Sequence, residues 1–225
     1  MAADSNLSVE PKRRGRLIVI AAASGTGKTS LVKALMAARP ALRFSVSYTT
    51  RAPRPNEVNG RDYHFVDPPT FERLIEFGEL LEHAQVFDHY YGTGQRQVAE
   101  ALERGQDLVL EIDWQGAEQI RSRLPEAMQI FVLPPSRMAL AERLRERRSD
   151  APEVIARRLQ ESVHEIAHWR DFDYVIINDD FNRALAELTE VIDGRGRALG
   201  RDRPGLAEFV AALLAGERPA TGVSA

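Results

Sequence analysis

The chain contains no cysteine among its 225 residues, which excludes disulfides, thiol nucleophiles and cysteine-held metal centres. No apolar run approaches the roughly 20 residues that a helix needs to cross a bilayer. The polar N-terminus, MAADSNLSVEPKRRGR, lacks the apolar middle of a secretion signal. A cytoplasmic protein with no membrane partner is therefore expected. A basic excess is missing as well: the formal net charge is −3, so bulk charge gives no reason to expect a nucleic-acid partner. Lysine is scarce, with only Lys12, Lys28 and Lys33, and the other basic residues are all arginine. What is present is enough chain for one substantial core, with room for small inserted units.

One of those lysines lies in the most informative stretch, RLIVIAAASGTGKTSLVKALMAA. Residues 16–21 form a short apolar, β-branched run that predicts a buried strand. Ala22, Ala23, Ser24, Gly25, Thr26, Gly27, Lys28 and Thr29 form a loop of small residues. From Ser30 the apolar positions Leu31, Ala34, Leu35 and Ala38 have helical spacing, until Pro40 ends the run. Strand, glycine loop and helix in that order predict a P-loop. Gly25 and Gly27 let backbone N–H groups turn inward around a polyphosphate, and the helix N-terminus adds partial positive charge. Lys28 would reach the β- and γ-phosphates, and the Thr29 hydroxyl would meet Mg²⁺. The usual pattern begins with glycine where this chain has Ala22, which fits if the strand exit keeps φ negative.

Residues 1–15 read as a disordered polar tail, with the basic patch at residues 12–16 solvated. Beyond the first helix, residues 44–48 alternate as a strand does. A proline-rich stretch follows, in which stiff turns around Arg51 and Arg54 suggest a loop shaped for an anion. An aromatic strand at residues 62–66, a helix at 69–78, a strand at 82–87 and a turn at 90–93 read as an inserted, antiparallel subdomain. Four of the five tyrosines lie between positions 48 and 91. The α/β rhythm then returns: helix 95–104, strand 107–112, helix 114–123, strand 128–133. Such alternation predicts a parallel sheet covered on both faces. Residues 136–170 are charged and helical, broken near residues 149–150, and read as a hairpin arm with too little apolar surface for a core. Strand 174–178, helix 181–192 and an apolar helix near residues 206–214 complete the chain. The five histidines show no metal-ligand grouping.

The segments SGTGKTSL, SYTTRAPRPNEVNGRDYHFV, LLEHAQVFDHYYGT, LEIDWQGA, FVLPPS and VIINDD resemble guanylate kinases in order and spacing, over residues 16–195. The most specific of them is the TTRxPRxxExxGxxYxF block. The resemblance implies a P-loop parallel-sheet core flanked by helices (residues 16–46, 97–138 and 170–195), a strand-rich GMP-binding subdomain (47–96) and a helical lid (139–169). Residues 196–225 are then a C-terminal helix and tail. It also implies ATP and GMP as substrates, Mg²⁺ as cofactor, and transfer of the ATP γ-phosphoryl group to GMP.

The same resemblance assigns residues. Lys28, Arg51, Arg143, Arg147 and Arg158 would be catalytic, the last three from the lid. Arg51, Arg54, Tyr63 and Tyr91 would hold the GMP phosphate through guanidinium forks and phenol hydroxyls. Glu82 would read guanine by accepting from N1–H and N2–H₂, with Ser47, Thr93 and Asp113 nearby. Glu57 would bind ribose or orient the arginines. Residues 22–30 would wrap ATP, with Asn178 on the adenine side. Glu111 or Asp113 would orient Mg²⁺-bound water or an arginine. The family's lid-turn glycine is Arg148 here. Two other readings compete. A phosphopeptide-binding scaffold domain is disfavoured by the intact Lys28 and Thr29. A P-loop kinase acting on another phosphorylated small molecule is disfavoured by Glu82 and Ser47.

Overall fold

The computed structural model describes residues 13–86, 88–146, 152–217 and 219. Strand β1 (Leu17–Ala22) is buried along its length, as its Leu-Ile-Val-Ile-Ala-Ala sequence requires. It lies at the centre of a five-stranded parallel sheet with β2 (Arg43–Phe44), β7 (Leu108–Glu111), β8 (Met128–Leu133) and β9 (Tyr174–Ile177), in the order β2-β7-β1-β8-β9. Alternate residues of each strand feed opposite cores. Val19, Ala21, Leu110 and Phe131 pack on one face with α3 (Gln95–Glu103), α4 (Trp114–Arg123) and α8 (Leu206–Ala215). Ile18, Ile20, Val109 and Val132 pack on the other with α1 (Lys28–Ala38) and α7 (Phe181–Ile192). Each fully buried Leu, Ile or Phe in these layers contributes about 1.5–3 kcal/mol. The doubly covered parallel sheet matches the expectation from sequence.

A second sheet carries the inserted unit. Its strands are β3 (Tyr48–Thr49), β4 (His64–Phe65), β5 (Leu80–Val86) and β6 (His89–Gly94), in the order β4-β3-β6-β5. Helix α2 (Pro68–Glu76) precedes β5, started by Pro68 and by the Asp67 side chain accepting from the Thr70 N–H.

Three expectations are corrected here. The single strand at residues 44–48 is two short strands in different sheets. The Ser45 N–H still bonds Val109, yet the Ser47 carbonyl already accepts from His64. An alternating pattern shows where a strand can pair, not where it changes partners. The expected turn at residues 90–93 is the middle of β6. Gly92 is there because a Cβ would come within 3.0 Å of the Glu82 carbonyl. The subdomain is also not wholly antiparallel, since β3 and β4 run parallel.

The arm consists of α5 (Arg137–Glu146) and α6 (Pro152–Ala167). Its base is better packed than its charge suggested, with Leu140, Leu144 and Ile166 buried. Arg13 and Arg16, given by the sequence to a solvated patch, both pair with Asp107, and the Gly15 N–H bonds Leu102. Phe87, the last residue of the strand expected at 82–87, and Arg147, Arg148 and the expected break at residues 149–150 lie outside the described residues. No described helix is long and apolar enough to cross a membrane.

Candidate active site

The C-terminal ends of β1 and β7 open into a cleft with an empty volume of about 1000 Å³, shared with the inner face of the second sheet. Residues 22–29 form its floor. Gly25 and Gly27 have φ of 84° and 95°, the left-handed region that favours glycine, and Gly27 caps α1 with no side-chain acceptor. Among the described residues the only non-glycine with positive φ is Asn56, so Ala22 has the ordinary backbone its place requires. The first turn of α1 therefore presents open N–H groups to the cleft. Lys28 Nζ donates to the Ile112 carbonyl at 2.6 Å, which leaves further ammonium donors for a ligand. The Thr29 hydroxyl donates to Glu111 Oε1 at 2.5 Å. Ser30 lies exposed in the same turn.

The facing wall is built from the proline-rich loop and the second sheet. Arg51 Nη2 meets Glu57 Oε1 at 2.9 Å, while the other Glu57 oxygen accepts from the Arg54 backbone N–H at 2.7 Å. Glu57 thus bonds the side chain of Arg51 and the backbone of Arg54. The Glu57 bond holds the Arg51 guanidinium in its charged form, against the burial that disfavours it. That guanidinium lies 5.4 Å from the Tyr63 ring centre, and Tyr63 meets Tyr91 edge-on at 6.0 Å. Burial pushes the Tyr63 phenol up to about 12, so it stays a neutral donor. Arg51, Arg54, Tyr63 and Tyr91 all line the cleft.

Deeper in, Ser47 and Glu82 line the same space. Glu82 is only 2% exposed, and its Oε1 accepts from Thr93 Oγ1 at 2.6 Å, so Thr93 acts on the carboxylate directly. Burial, with Asp113 nearby, pushes the Glu82 carboxyl up to about 7. Asp113 caps α4, accepting from the Gly116 N–H at 2.9 Å and from the Gln115 amide at 3.1 Å, and its own pKa is raised by burial.

Several assigned residues do not line the cleft: Ser30, Glu57 and Thr93 stand just behind residues that do, and three others lie farther from the ligand space. Asn178 is buried behind the phosphate loop, where its amide donates to the Thr26 carbonyl at 2.7 Å. Its Oδ1 has no hydrogen-bond partner among the described residues. Arg143 donates to the carbonyls of Thr26 (3.0 Å) and Asn178 (2.9 Å), which makes it a brace beneath the loop in this conformation. Arg158 is half-buried on α6 and also stands off the cleft, and Arg147 lies outside the described residues.

Sequence reasoning missed Glu165. Its Oε2 accepts from the Ser24 N–H at 2.8 Å, and Ser162 on the same helix donates to the Ser24 carbonyl at 3.0 Å. Burial pushes the Glu165 carboxyl up to about 7. Within a charged helix nothing local distinguishes it from its solvated neighbours.

A P-loop on a parallel sheet faces, across one cleft, a wall of arginines, tyrosines and a buried carboxylate, which defines a nucleoside-monophosphate kinase. The family model described as guanylate kinase matches residues 14–195. The guanylate kinase of Thiobacillus denitrificans is 52% identical over 181 residues, covering 80% of this chain and 87% of that one. That of Alkalilimnicola ehrlichii is 50% identical over 200 residues, covering 89% and 98%. The crystal structure of guanylate kinase from Anaplasma phagocytophilum superposes with a TM-score of 0.69 at 31% identity, covering 83% of this chain and 88% of that one. The chain belongs to the guanylate kinase family.

Proposed function

We propose that this protein transfers the γ-phosphoryl group of ATP to GMP, giving ADP and GDP. The observation that carries the reading is the buried Glu82 carboxylate, open to the same cleft as the Lys28 loop. Guanine offers adjacent N–H donors to a carboxylate, whereas adenine offers an acceptor at N1. One bidentate pair of this kind is worth about 1–3 kcal/mol of discrimination, and more when a buried acceptor would be left unpaired.

The reaction needs little from the protein beyond alignment and charge, because the attacking GMP oxygen is already anionic. Arg51, Arg54, Tyr63 and Tyr91 hold the GMP phosphate, with Glu57 fixing the two arginines. Ser47, Glu82, Thr93 and Asp113 hold the base. Residues 22–30 hold the ATP phosphates, and Lys28 offsets charge on the transferring group. Asn178, with an unpaired amide oxygen, is kept for the adenine side. Arg143, Arg147 and Arg158 add positive charge once the arm closes, which for Arg143 means leaving the Thr26 carbonyl. Closure also excludes water from the phosphoryl group.

Mg²⁺ fits the donor set. A small hard cation keeps several waters and takes one or two protein oxygens besides the phosphates. Thr29 and Glu111 supply a hydroxyl and a carboxylate in contact with each other, whereas Asp113 Oδ1 caps α4 and its Oδ2 accepts from the Gln115 side chain. Among the described residues no cage of three or more acidic or histidine ligands exists, in keeping with a metal that arrives with its nucleotide. Bound there, the ion would neutralise charge between the β- and γ-phosphates. Both nucleotides being soluble, we assign the activity to the cytoplasm.

The test is ADP release measured with GMP, AMP, CMP and UMP in turn. Turnover is expected with GMP and at least about fivefold less with the others, the lower end of one bidentate pair. Equal turnover with AMP would remove the guanine reading.

A further inference from the structure

Helix α4 lies along the free edge of β5, and its side chains are matched to that strand. Gln115, Gln119 and Arg123 are four residues apart. Gln115 Nε2 donates to the Gln85 carbonyl (3.4 Å) and Gln119 Nε2 to the His83 carbonyl (2.7 Å). Arg123 Nη1 donates to the Leu81 carbonyl (2.5 Å), and the His83 N–H returns a bond to Gln119 Oε1 (3.2 Å). Four helical residues advance about 6 Å and two strand residues about 6.7 Å, so the two repeats stay in step. The edge strand is thereby satisfied by side chains, and β5 is held against α4 on both sides of Glu82.

Gly116 faces Glu82 across this seam. Its backbone is helical, so any residue could adopt it, and what calls for glycine is space. A Cβ at Gly116 would lie 2.3 Å from Glu82 Oε2 and 3.0 Å from its Cδ. Thr93 holds the other carboxylate oxygen. The carboxylate is thus seated between a hydroxyl on β6 and bare backbone on α4, and the strand that carries it has no freedom to retreat.

We propose that Gly116 is a specificity-determining position, a positioning residue whose missing side chain seats the Glu82 carboxylate for guanine. This inference rests on the GMP reading above. A methyl group there displaces the carboxylate from its seat between Gly116 and Thr93, and so from the position in which it meets the base. The Asp113 cap is untouched, because it uses the Gly116 N–H.

The experiment is a double-mutant cycle of Gly116→Ala and Glu82→Asp, read as KM for GMP, KM for ATP, kcat and the ligand-free melting temperature. Gly116→Ala is expected to raise KM for GMP at least tenfold, with KM for ATP within twofold. Its melting temperature should fall, although alanine is ordinarily the better helix former. Glu82→Asp, by retracting the carboxylate, should cost far less in the Gly116→Ala background than alone and should return part of the melting temperature. A merely structural glycine gives additive effects and moves both KM values together, and that result overturns the inference. Should Gly116→Ala fail to fold, the pair with Glu82→Asp is expected to fold, and failure of both overturns it too. If the unmodified protein does not turn over GMP, the function reading is what fails, and the specificity assignment falls with it.

Discussion

The Glu165 carboxylate, on the arm helix α6, accepts a 2.8 Å hydrogen bond from the Ser24 N–H inside the phosphate loop. Ser162, one turn earlier, has its hydroxyl 3.0 Å from the Ser24 carbonyl and 2.7 Å from the Arg158 carbonyl, so its one proton is shared between the loop and its own helix. The arm that would close over the nucleotide is therefore fastened to the loop that would bind it.

That contact predicts a pH effect on stability. Burial raises the Glu165 carboxyl from 4.5 to about 7, more than the Ser24 N–H and Lys28 lower it. The folded protein then binds more protons than the unfolded chain between those values. Stability from this group is full below pH 4.5 and is lost as pH rises to about 7. Glu165→Gln keeps an acceptor for Ser24 but cannot ionise. Relative to wild type it should become more stable above pH 7 than at pH 5, by roughly a few kcal/mol at most. Urea midpoints across pH 5–8 check this, and parallel profiles for the two proteins would contradict it.

A second pH effect belongs to binding. Glu82 must be ionised to accept from guanine, and its carboxyl is raised to about 7 in the empty site, facing Thr93, Asp113 and Lys28. GMP affinity should fall about tenfold from pH 8 to pH 6 through this group. Calorimetric titration of GMP measures it. Glu82→Gln retains the dependence due to the GMP phosphate itself, so the carboxyl's share is the difference between the two slopes. Identical slopes would mean that Glu82 does not read the base.

Lys28→Met removes the mobile positive charge of the loop without touching the opposite wall. Turnover should drop by about 10²-fold or more, the scale of losing one preorganised electrostatic donor. GMP binding should stay within threefold. Unchanged turnover in a coupled assay would refute the phosphate role.

Arg51→Ala removes a guanidinium held by Glu57 and stacked near Tyr63. KM for GMP should rise about 10- to 100-fold, as expected when a charged hydrogen bond is lost, and kcat should fall with it. Glu57→Gln should do the same to a smaller degree, since it loosens the arginine without deleting it. A change in KM for ATP alone would mean that the two nucleotide sites had been exchanged.

Much of this was legible in the sequence. The phosphate loop could be read because its parts are contiguous: two glycines that set the backbone, a lysine and a threonine lie within eight residues. The doubly covered sheet could be read because strand and helix periods alternate. The Arg51, Arg54 and Glu57 constellation lies within one stiff loop, although only the structure shows the Glu57 carboxylate bonded to the Arg51 side chain and the Arg54 backbone N–H. The β2–β3 split could not be read, because one alternating pattern serves either sheet. Gly92 looked like a turn because a sequence does not distinguish glycine needed for φ from glycine needed for close approach.

The sequence by itself determined the strand–glycine loop–helix unit and the class of fold, since both rest on neighbours along the chain. Only the tertiary structure decided that Glu165 reaches Ser24 across 141 positions, that Arg143 braces Thr26, and that Gly116 leaves room for Glu82. On a charged helix, every carboxylate and guanidinium looks alike until packing decides which of them is buried and what it faces. That burial, not the residue type, is what shifts a pKa or fixes a rotamer.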